Sequence, residues 1–225
     1  MKYTSFFFDL DNTLLDFSVG EACAVAQVLK ENGLPHDDDT VKLYSRINKS
    51  YWERFENGEI SKSEIFENRF KTLLKQLGKD GDCAKISSEY GKNLSLQHQT
   101  VVGAKEILVF LRNKGLRVYA TTNGIAATQY RRIKESGLEP LFDGVFVSEA
   151  AGCQKPEKEY FDFVIANTPE KNRRKILIVG DSQSSDILGG INAGIDTCWY
   201  NPNGQKAKYP SEFEIKTLSE LKNYI

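Results

Sequence analysis

From about residue 100 onward, the chain alternates short apolar runs with amphipathic stretches, and this alternation restricts the fold more than any other feature. The runs are rich in β-branched and aromatic residues, which is typical of buried strands. Strands that are joined by helices form a parallel sheet through right-handed crossovers. The sequence therefore predicts an α/β fold, a doubly wound parallel sheet with helices on both faces, whose strands lie near 4–8, 118–120, 145–147, 176–179 and 197–199.

Two helices between these strands are indicated by apolar residues spaced three and four positions apart. Gly115 follows the first helix and Gly137 the second, and glycine is a common stop signal just beyond a helix. We expect both apolar faces to pack on the sheet. They consist of Ala104, Ile107, Leu108 and Leu111 in the first helix, and of Ala126, Tyr130 and Ile133 in the second.

The segment 16–97 breaks the alternation, because it shows helical spacing and no convincing strand. Ser61 and Glu64 form a capping box at the start of one helix. Gly33, Gly58 and Gly78 separate the helical stretches. We predict an inserted domain of about four helices at 16–97 and a core domain formed by 1–15 and 98–225.

The overall composition argues against several classes of partner. The formal net charge is −1, and the chain lacks the basic stripe that nucleic-acid readers and anionic-membrane binders carry. It shows neither a signal peptide nor an apolar run long enough to cross a membrane. We therefore expect a cytoplasmic protein that acts on a small molecule, with no nucleic acid polymer and no membrane as partner. A zinc site is not expected from the scattered cysteines, which are Cys23, Cys83, Cys153 and Cys198.

Polar residues follow the predicted strands, at the edge where open parallel sheets bind their ligands. Mg²⁺ prefers carboxylate and other hard oxygen ligands. A lysine and a hydroxyl can hold phosphate oxygens, and a carboxylate can attack phosphorus to form an aspartyl-phosphate. The sequence thus predicts a magnesium and phosphate site from Asp9 and Asp11 after the first strand, Thr122 after the second, Lys155 after the third, and Asp181 and Asp186 after the fourth.

Four motifs in chain order carry a resemblance to a known family. The segment 8–14, which reads Phe-Asp-Leu-Asp-Asn-Thr-Leu, is similar to the DxDxT motif of the haloacid dehalogenase (HAD) superfamily of phosphohydrolases. The segment 120–124 resembles the second motif, Lys155-Pro156 the third, and 180–186 the fourth, GDxxxxD. Four ordered motifs after strands are far more specific than one DxDxT. The resemblance implies a Rossmann-like core, with the helical insertion as a C1-type cap.

The resemblance implies roles for the two acids of the first motif. Asp9 would be the nucleophile and a metal ligand. Asp11 would protonate the leaving alcohol and then act as base for the water that releases phosphate, while its backbone carbonyl contacts Mg²⁺. Most of the rate would come from positioning and charge stabilisation.

The other motifs would bind the transferring phosphoryl group and the metal. Thr122, together with Asn123 and Gly124, would hold phosphoryl oxygens, and Lys155 would balance their charge. Asp186 would bind the metal directly or support another ligand. The implied metal set is Asp9, Asp11, Asp181 and Asp186.

Each residue also has a structural interpretation. Asp9 and Asp11 could be turn acids, because Asp-Asn pairs favour turns. Thr122 could cap the next helix, and Lys155 could be an ordinary surface lysine. The acids of the fourth motif could be first-turn residues that the helix dipole favours.

Several chemistries occur on this scaffold, so the fold does not decide the reaction. Haloacid dehalogenases lack the second acid of the first motif, since halide leaves without a proton, and Asp11 therefore favours phosphate esters. A phosphomutase keeps both acids, although its motif usually reads Asp-Gly where this chain has Asp11-Asn12. A silent phosphate-binding module would typically have lost an acid or the lysine. We predict a Mg²⁺-dependent phosphatase that acts through an aspartyl-phosphate on Asp9, with a sugar-phosphate phosphatase or phosphomutase as the alternative.

The overall resemblance is to the pyrimidine 5'-nucleotidases that clear nucleoside monophosphates, including noncanonical ones. It rests on the segments 11–17, 52–60, 69–70 and 147–156. This implies a nucleoside monophosphate substrate, with Phe17 and Trp52 stacking on the base and Arg69 at its polar edge. Trp52 could instead belong to the helix-bundle core, and Arg69 could be a solvated helix residue. The sequence leaves the oligomeric state open.

Overall fold

In the computed structural model, which describes residues 2–225, one parallel sheet has the strand order β3-β2-β1-β4-β5-β6. Every neighbouring pair is parallel, so the predicted doubly wound α/β fold is confirmed. The last strand was not predicted, because a run of three residues carries too little periodicity to be recognised. The strands are β1 (Ser5–Phe8), β2 (Arg117–Thr122), β3 (Gly144–Val147), β4 (Ile176–Gly180), β5 (Asp196–Tyr200) and β6 (Phe213–Ile215).

Helices connect the strands and also form the segment between β1 and β2. That segment contains α1 (Phe17–Glu31), α2 (Asp38–Glu56), α3 (Lys62–Leu77) and α4 (Cys83–Ser95), followed by α5 (Ala104–Asn113). The later helices are α6 (Ala126–Glu135), α7 (Ser148–Ala151), α8 (Lys158–Ala166) and α9 (Leu188–Ala193), with a π-helical turn at Gln183–Ile187 and a 3₁₀ helix at Leu218–Tyr224.

The alternation of side chains along β1 separates the two hydrophobic layers of the sheet. Phe6 and Phe8 pack with α5 and with Leu218 on one face. Phe7 packs with Phe161 of α8 on the other. Because successive strand residues point to opposite faces, this run of phenylalanines fills both layers and fixes β1 in the centre of the sheet.

One predicted helix face is only partly right, because Ile133 is buried in the core as predicted but Tyr130 is not. Tyr130 of α6 is 48% exposed, whereas Gln129 and Arg132 are buried to 1% exposure. The apolar pattern pointed to Tyr130, but the inner face of this helix borders a polar crevice. Buried polar side chains that find hydrogen-bond partners there replace the expected apolar ones.

The helical segment, defined as α1–α4, has a hydrophobic core of its own. Tyr44 of α2, Phe70 of α3 and Tyr90 of α4 pack together at its centre. The predicted capping box of Ser61 and Glu64 is present. Each helix of the segment starts at a side chain that accepts a hydrogen bond from its first turn, and the four caps are Asp16, Asp37, Ser61 and Asp82.

Over residues 2–225, the structure contains no helix with the length and apolar character needed to cross a membrane. The boundaries of an inserted domain at 16–97 stay a prediction.

Candidate active site

Asp9 lies directly after β1, at the carboxyl edge of the sheet between β2 and β4. Its backbone N–H donates to the carbonyl of Val179 at 2.9 Å, which continues the pairing with β4. The chain then turns through Asn12, whose φ is +59°, a left-handed conformation that asparagine tolerates. The Asn12 side chain accepts a hydrogen bond from the backbone of Ser18 at 3.0 Å. This turn holds the first-motif acids at the point where ligands bind in such sheets.

Three carboxylates meet at this edge. Asp9, Asp181 and Asp186 each offer one oxygen, and these oxygens all lie within 4.8 Å of one another. The pKa of Asp9 is raised to about 7, mainly by burial and also by the neighbouring carboxylates of Asp186 and Asp11, against the opposing effect of Lys155. Burial also raises the pKa of Asp181 well above its ordinary value, with added repulsion from Asp9 and Asp186. A hard divalent cation such as Mg²⁺ fits this donor set, because it takes carboxylate oxygens and relieves their repulsion.

Lys155 neutralises part of this charge. Its Nζ donates to Asp9 Oδ1 at 2.7 Å, to Asp186 Oδ1 at 2.7 Å and to the carbonyl of Thr121 at 3.0 Å. All three donors of the ammonium are used. Burial lowers the pKa of Lys155, but the two carboxylates outweigh that effect and the net shift is upward. The side chain is 1% exposed, so the alternative of a surface lysine is wrong.

The segment after β2 supports both Lys155 and the site. The Asn123 side chain donates to the Lys155 carbonyl at 2.8 Å and accepts from the Lys155 backbone N–H at 2.9 Å. These two hydrogen bonds fix the position of the lysine. The Thr122 hydroxyl oxygen accepts from the backbone of Gly124 at 3.0 Å and from Gln129 at 2.9 Å. Thr122, Asn123 and Gly124 nevertheless all line the crevice, as the sequence predicts.

The segment after β4 places the remaining acids. Asp186 is fully buried and accepts a hydrogen bond from the backbone of Ser182 at 3.1 Å. A Cβ at Gly180 would lie 2.2 Å from Asp186 Oδ2, so the position requires glycine for this close approach. Asp181 is linked to Thr13, which donates to its Oδ1 at 3.3 Å and accepts from its backbone at 3.1 Å. These two hydrogen bonds join the segment after β1 to the segment after β4.

Asp11 is held by two residues that sequence reasoning missed. Arg132 forms an ion pair with Asp11 Oδ1, and Gln129 donates to Asp11 Oδ2 at 2.8 Å. Both side chains come from α6, with Gln129 in its first turn and Arg132 in its second. The three-residue spacing of these two polar side chains was the only signal available, and it is common on solvated helices.

Glu56 is a second residue that sequence reasoning missed. It ends α2 and accepts hydrogen bonds from the hydroxyls of Ser182, at 3.3 Å, and Ser184. Burial raises the pKa of Glu56 to about 7. A carboxyl of the helical segment therefore lies at the edge of the acid cluster, which consists of Asp9, Asp181 and Asp186.

The predicted cap residues line a small cavity beside Asp11. Phe17, Trp52 and Arg69 enclose about 40 Å³ together with Arg132 and other side chains. Arg69 is 4% exposed and stacks against aromatic rings, so the alternative of a solvated helix residue is wrong. The cavity adjoins a larger crevice of about 990 Å³ that is lined by Asp9, Lys155 and Asp181. Phe17, Trp52 and Asp11 line both spaces.

The comparison with protein families identifies the chain. The family described as haloacid dehalogenase-like hydrolase matches residues 6–200, which include most of β1, all of β2 to β5 and all of the predicted site residues.

Three relatives match over 90% or more of this chain. The HAD-hydrolase YfnB of Bacillus subtilis is 39% identical over 98% of this chain and 94% of its own. The pyrimidine 5'-nucleotidase PynA of Streptococcus pneumoniae is 40% identical over 90% of this chain and 86% of its own. The pyrimidine 5'-nucleotidase YjjG of Escherichia coli is 30% identical over 100% of this chain and 99% of its own.

A solved structure gives the same result. The crystal structure of YfnB from Bacillus subtilis, bound to magnesium, has a TM-score of 0.94 and 38% identity over 100% of this chain and 99% of that one. The resemblance that the sequence motifs indicated is confirmed: the chain belongs to the haloacid dehalogenase-like hydrolases and is an enzyme of that family.

Proposed function

We propose that the chain is a Mg²⁺-dependent phosphatase that hydrolyses small-molecule phosphate monoesters through a covalent phosphate on Asp9. The observation that carries this proposal is the buried cluster in which Lys155 bridges Asp9 and Asp186 at 2.7 Å each, with Asp181 beside them. This cluster combines a nucleophile, a cation for phosphoryl oxygens and a carboxylate set for a metal.

The residues divide the reaction between them. Asp9 attacks phosphorus, and Lys155 balances the charge on the phosphoryl oxygens while keeping Asp9 oriented. Mg²⁺, when bound by Asp9, Asp181 and Asp186 with the backbone of Asp11, offsets the remaining negative charge. Asp11 gives a proton to the leaving oxygen and later accepts one from the water that releases phosphate. The Thr122 hydroxyl and the amides that follow it hold a phosphoryl oxygen.

We infer that the substrate is a pyrimidine nucleoside 5'-monophosphate. Two relatives at 30% and 40% identity are pyrimidine 5'-nucleotidases. Phe17 and Trp52 line both the small cavity and the larger crevice, and their rings could stack on a planar base that lies where the two spaces meet. Arg69 Nε is buried beside the small cavity without a hydrogen-bond partner and could donate to a base carbonyl oxygen. The helical segment would act as the cap that selects the leaving group, and a cytoplasmic location stays a prediction.

The test is Mg²⁺-dependent phosphate release from a panel of nucleoside monophosphates and sugar phosphates, with the Asp9→Asn variant assayed in parallel. We expect preference for pyrimidine monophosphates, and loss of turnover in the variant. Preference for sugar phosphates would keep the roles of Asp9 and Lys155 but overturn the role of the cavity. Absence of turnover on every substrate would favour a phosphate-binding module instead.

A further inference from the structure

Arg132 is among the most completely buried large side chains of the described residues, although it carries a charge. Its Nε donates to the carbonyl of Gln97 at 2.8 Å, and its Nη1 donates to Gln129 at 3.1 Å while pairing with Asp11. The guanidinium plane also lies over the Phe17 ring, with 5.7 Å between Cζ and the ring centroid. A guanidinium anchored at this many points holds its carboxylate partner in one orientation.

Gln129 holds the other oxygen of Asp11. Its Nε2 donates to Asp11 Oδ2 at 2.8 Å and to the Thr122 hydroxyl at 2.9 Å. The same amide therefore joins Asp11 to the residue that is proposed to bind the phosphoryl group. Both carboxylate oxygens of Asp11 are positioned by α6, in addition to the turn after β1 that holds its backbone.

We propose that Arg132 and Gln129 are positioning residues for proton donation by Asp11. When Asp11 gives its proton to the leaving oxygen, negative charge develops on its carboxylate. The hydrogen bonds from Arg132 and Gln129 point at the two oxygens where that charge appears, so they stabilise the product of the proton transfer without reorganisation. Neither residue touches the reacting phosphorus in this arrangement; both act through Asp11.

The inference rests on the proposed aspartyl-phosphate mechanism, and its test uses leaving groups of different acidity. The value of kcat/KM includes steps only up to departure of the leaving group. p-Nitrophenyl phosphate releases a stable anion that needs no proton, whereas benzyl phosphate releases an alkoxide that does. In Arg132→Met, we expect kcat/KM for benzyl phosphate to fall about 100-fold and that for p-nitrophenyl phosphate to fall less than about threefold.

Several variants separate this role from a structural one. Gln129→Met should show the same pattern with a smaller loss, which keeps the test available if Arg132→Met does not fold. Arg132→Lys should recover part of the benzyl phosphate activity. The matched control is Arg131→Met, because Arg131 is the exposed neighbour on the same helix, and neither substrate should be affected.

The outcomes are distinguishable from failure of the mechanism itself. In an Asp11→Asn background, Arg132→Met should change the ratio between the two substrates no further, since both act on one proton transfer. Equal losses on both substrates in Arg132→Met and Gln129→Met would overturn the positioning role alone. Turnover at the wild-type level in the Asp9→Asn variant would overturn the mechanism, and the positioning role with it.

Discussion

The acid cluster and the small cavity lie side by side but are built in different ways. The cluster of Asp9, Lys155, Asp181 and Asp186 stands on residues that follow strands of the sheet, and it is held by charge and short hydrogen bonds. The cavity is enclosed by packed side chains from several helices, four of them aromatic. Strand ends converge at one edge whatever the surrounding sequence, whereas the shape of a helix–helix cavity depends on every side chain in its wall. From this difference we infer that the sheet supplies the residues for the reaction, whereas the helical segment selects the substrate.

The sharpest test of this division is Asp9→Asn. We expect kcat/KM to fall at least about 10⁴-fold, or about 5 kcal/mol of transition-state stabilisation, because the amide is a poor nucleophile and weakens the metal site. The loss should be equal for nucleotides and aryl phosphates, since both react at the same atom. Asp80→Asn, at an exposed loop acid, serves as control, and near-normal turnover in Asp9→Asn would contradict the mechanism.

Lys155→Met should have the next largest effect. Removing the ammonium leaves Asp9 and Asp186 buried without their shared cation. We expect turnover to fall about 10³-fold and the free energy of unfolding in Mg²⁺-free buffer at about pH 8 to fall by about 3 kcal/mol. Steady-state kinetics and urea denaturation measure the two effects. The control is Lys158→Met, which removes an exposed lysine three residues away; a matching loss there would argue against a specific role.

Glu56→Gln tests a carboxyl by which the helical segment contacts the serines after β4. Because burial raises the pKa of Glu56 from 4.5 to about 7, the folded chain holds this proton more tightly than the unfolded chain. The free energy of unfolding therefore falls as the pH rises from about 4.5 to about 7, and then levels off. Glu56→Gln should remove this pH-dependent contribution to the free energy of unfolding, which is at most about 3 kcal/mol.

The measurement is urea denaturation of both proteins at about pH 5 and about pH 8, without Mg²⁺. Glu53→Gln, an exposed position on the same helix, should retain the full wild-type dependence. If the two variants behave alike, the carboxyl of Glu56 is not the source of the effect.

Trp52→Ala should give the smallest effect and the most selective one. Trp52 lines both the cavity and the larger crevice and packs edge-on against Phe55 and Phe66. Loss of a stacking ring is expected to lower kcat/KM for pyrimidine monophosphates about tenfold, while p-nitrophenyl phosphate turnover stays within about twofold. Tyr130→Ala, which removes an exposed aromatic, is the control. Unchanged turnover of both substrates would remove Trp52 from substrate recognition.

The sequence predicted more of the acid cluster than of the cavity and its surroundings. Asp9, Lys155, Asp181 and the fourth-motif acid Asp186 each follow a run of β-branched or aromatic residues, so locating the strands also located these side chains. By contrast, Gln129 and Arg132 resemble residues of an ordinary solvated helix, and Glu56 resembles a polar helix end. Their function depends on which element each helix faces, and the local periodicity of the sequence carries no information about that.

The sequence alone therefore determined the fold class, the family and the candidates for the reacting side chains, because strand periodicity and motif order are local properties of the chain. Only the tertiary structure showed that α6 delivers Arg132 and Gln129 to both oxygens of Asp11, and that α2 brings Glu56 to the serines after β4. These contacts join residues more than 100 positions apart. They are decided by how helices pack on one another and on the sheet, which follows from the summed burial of many side chains rather than from any one segment.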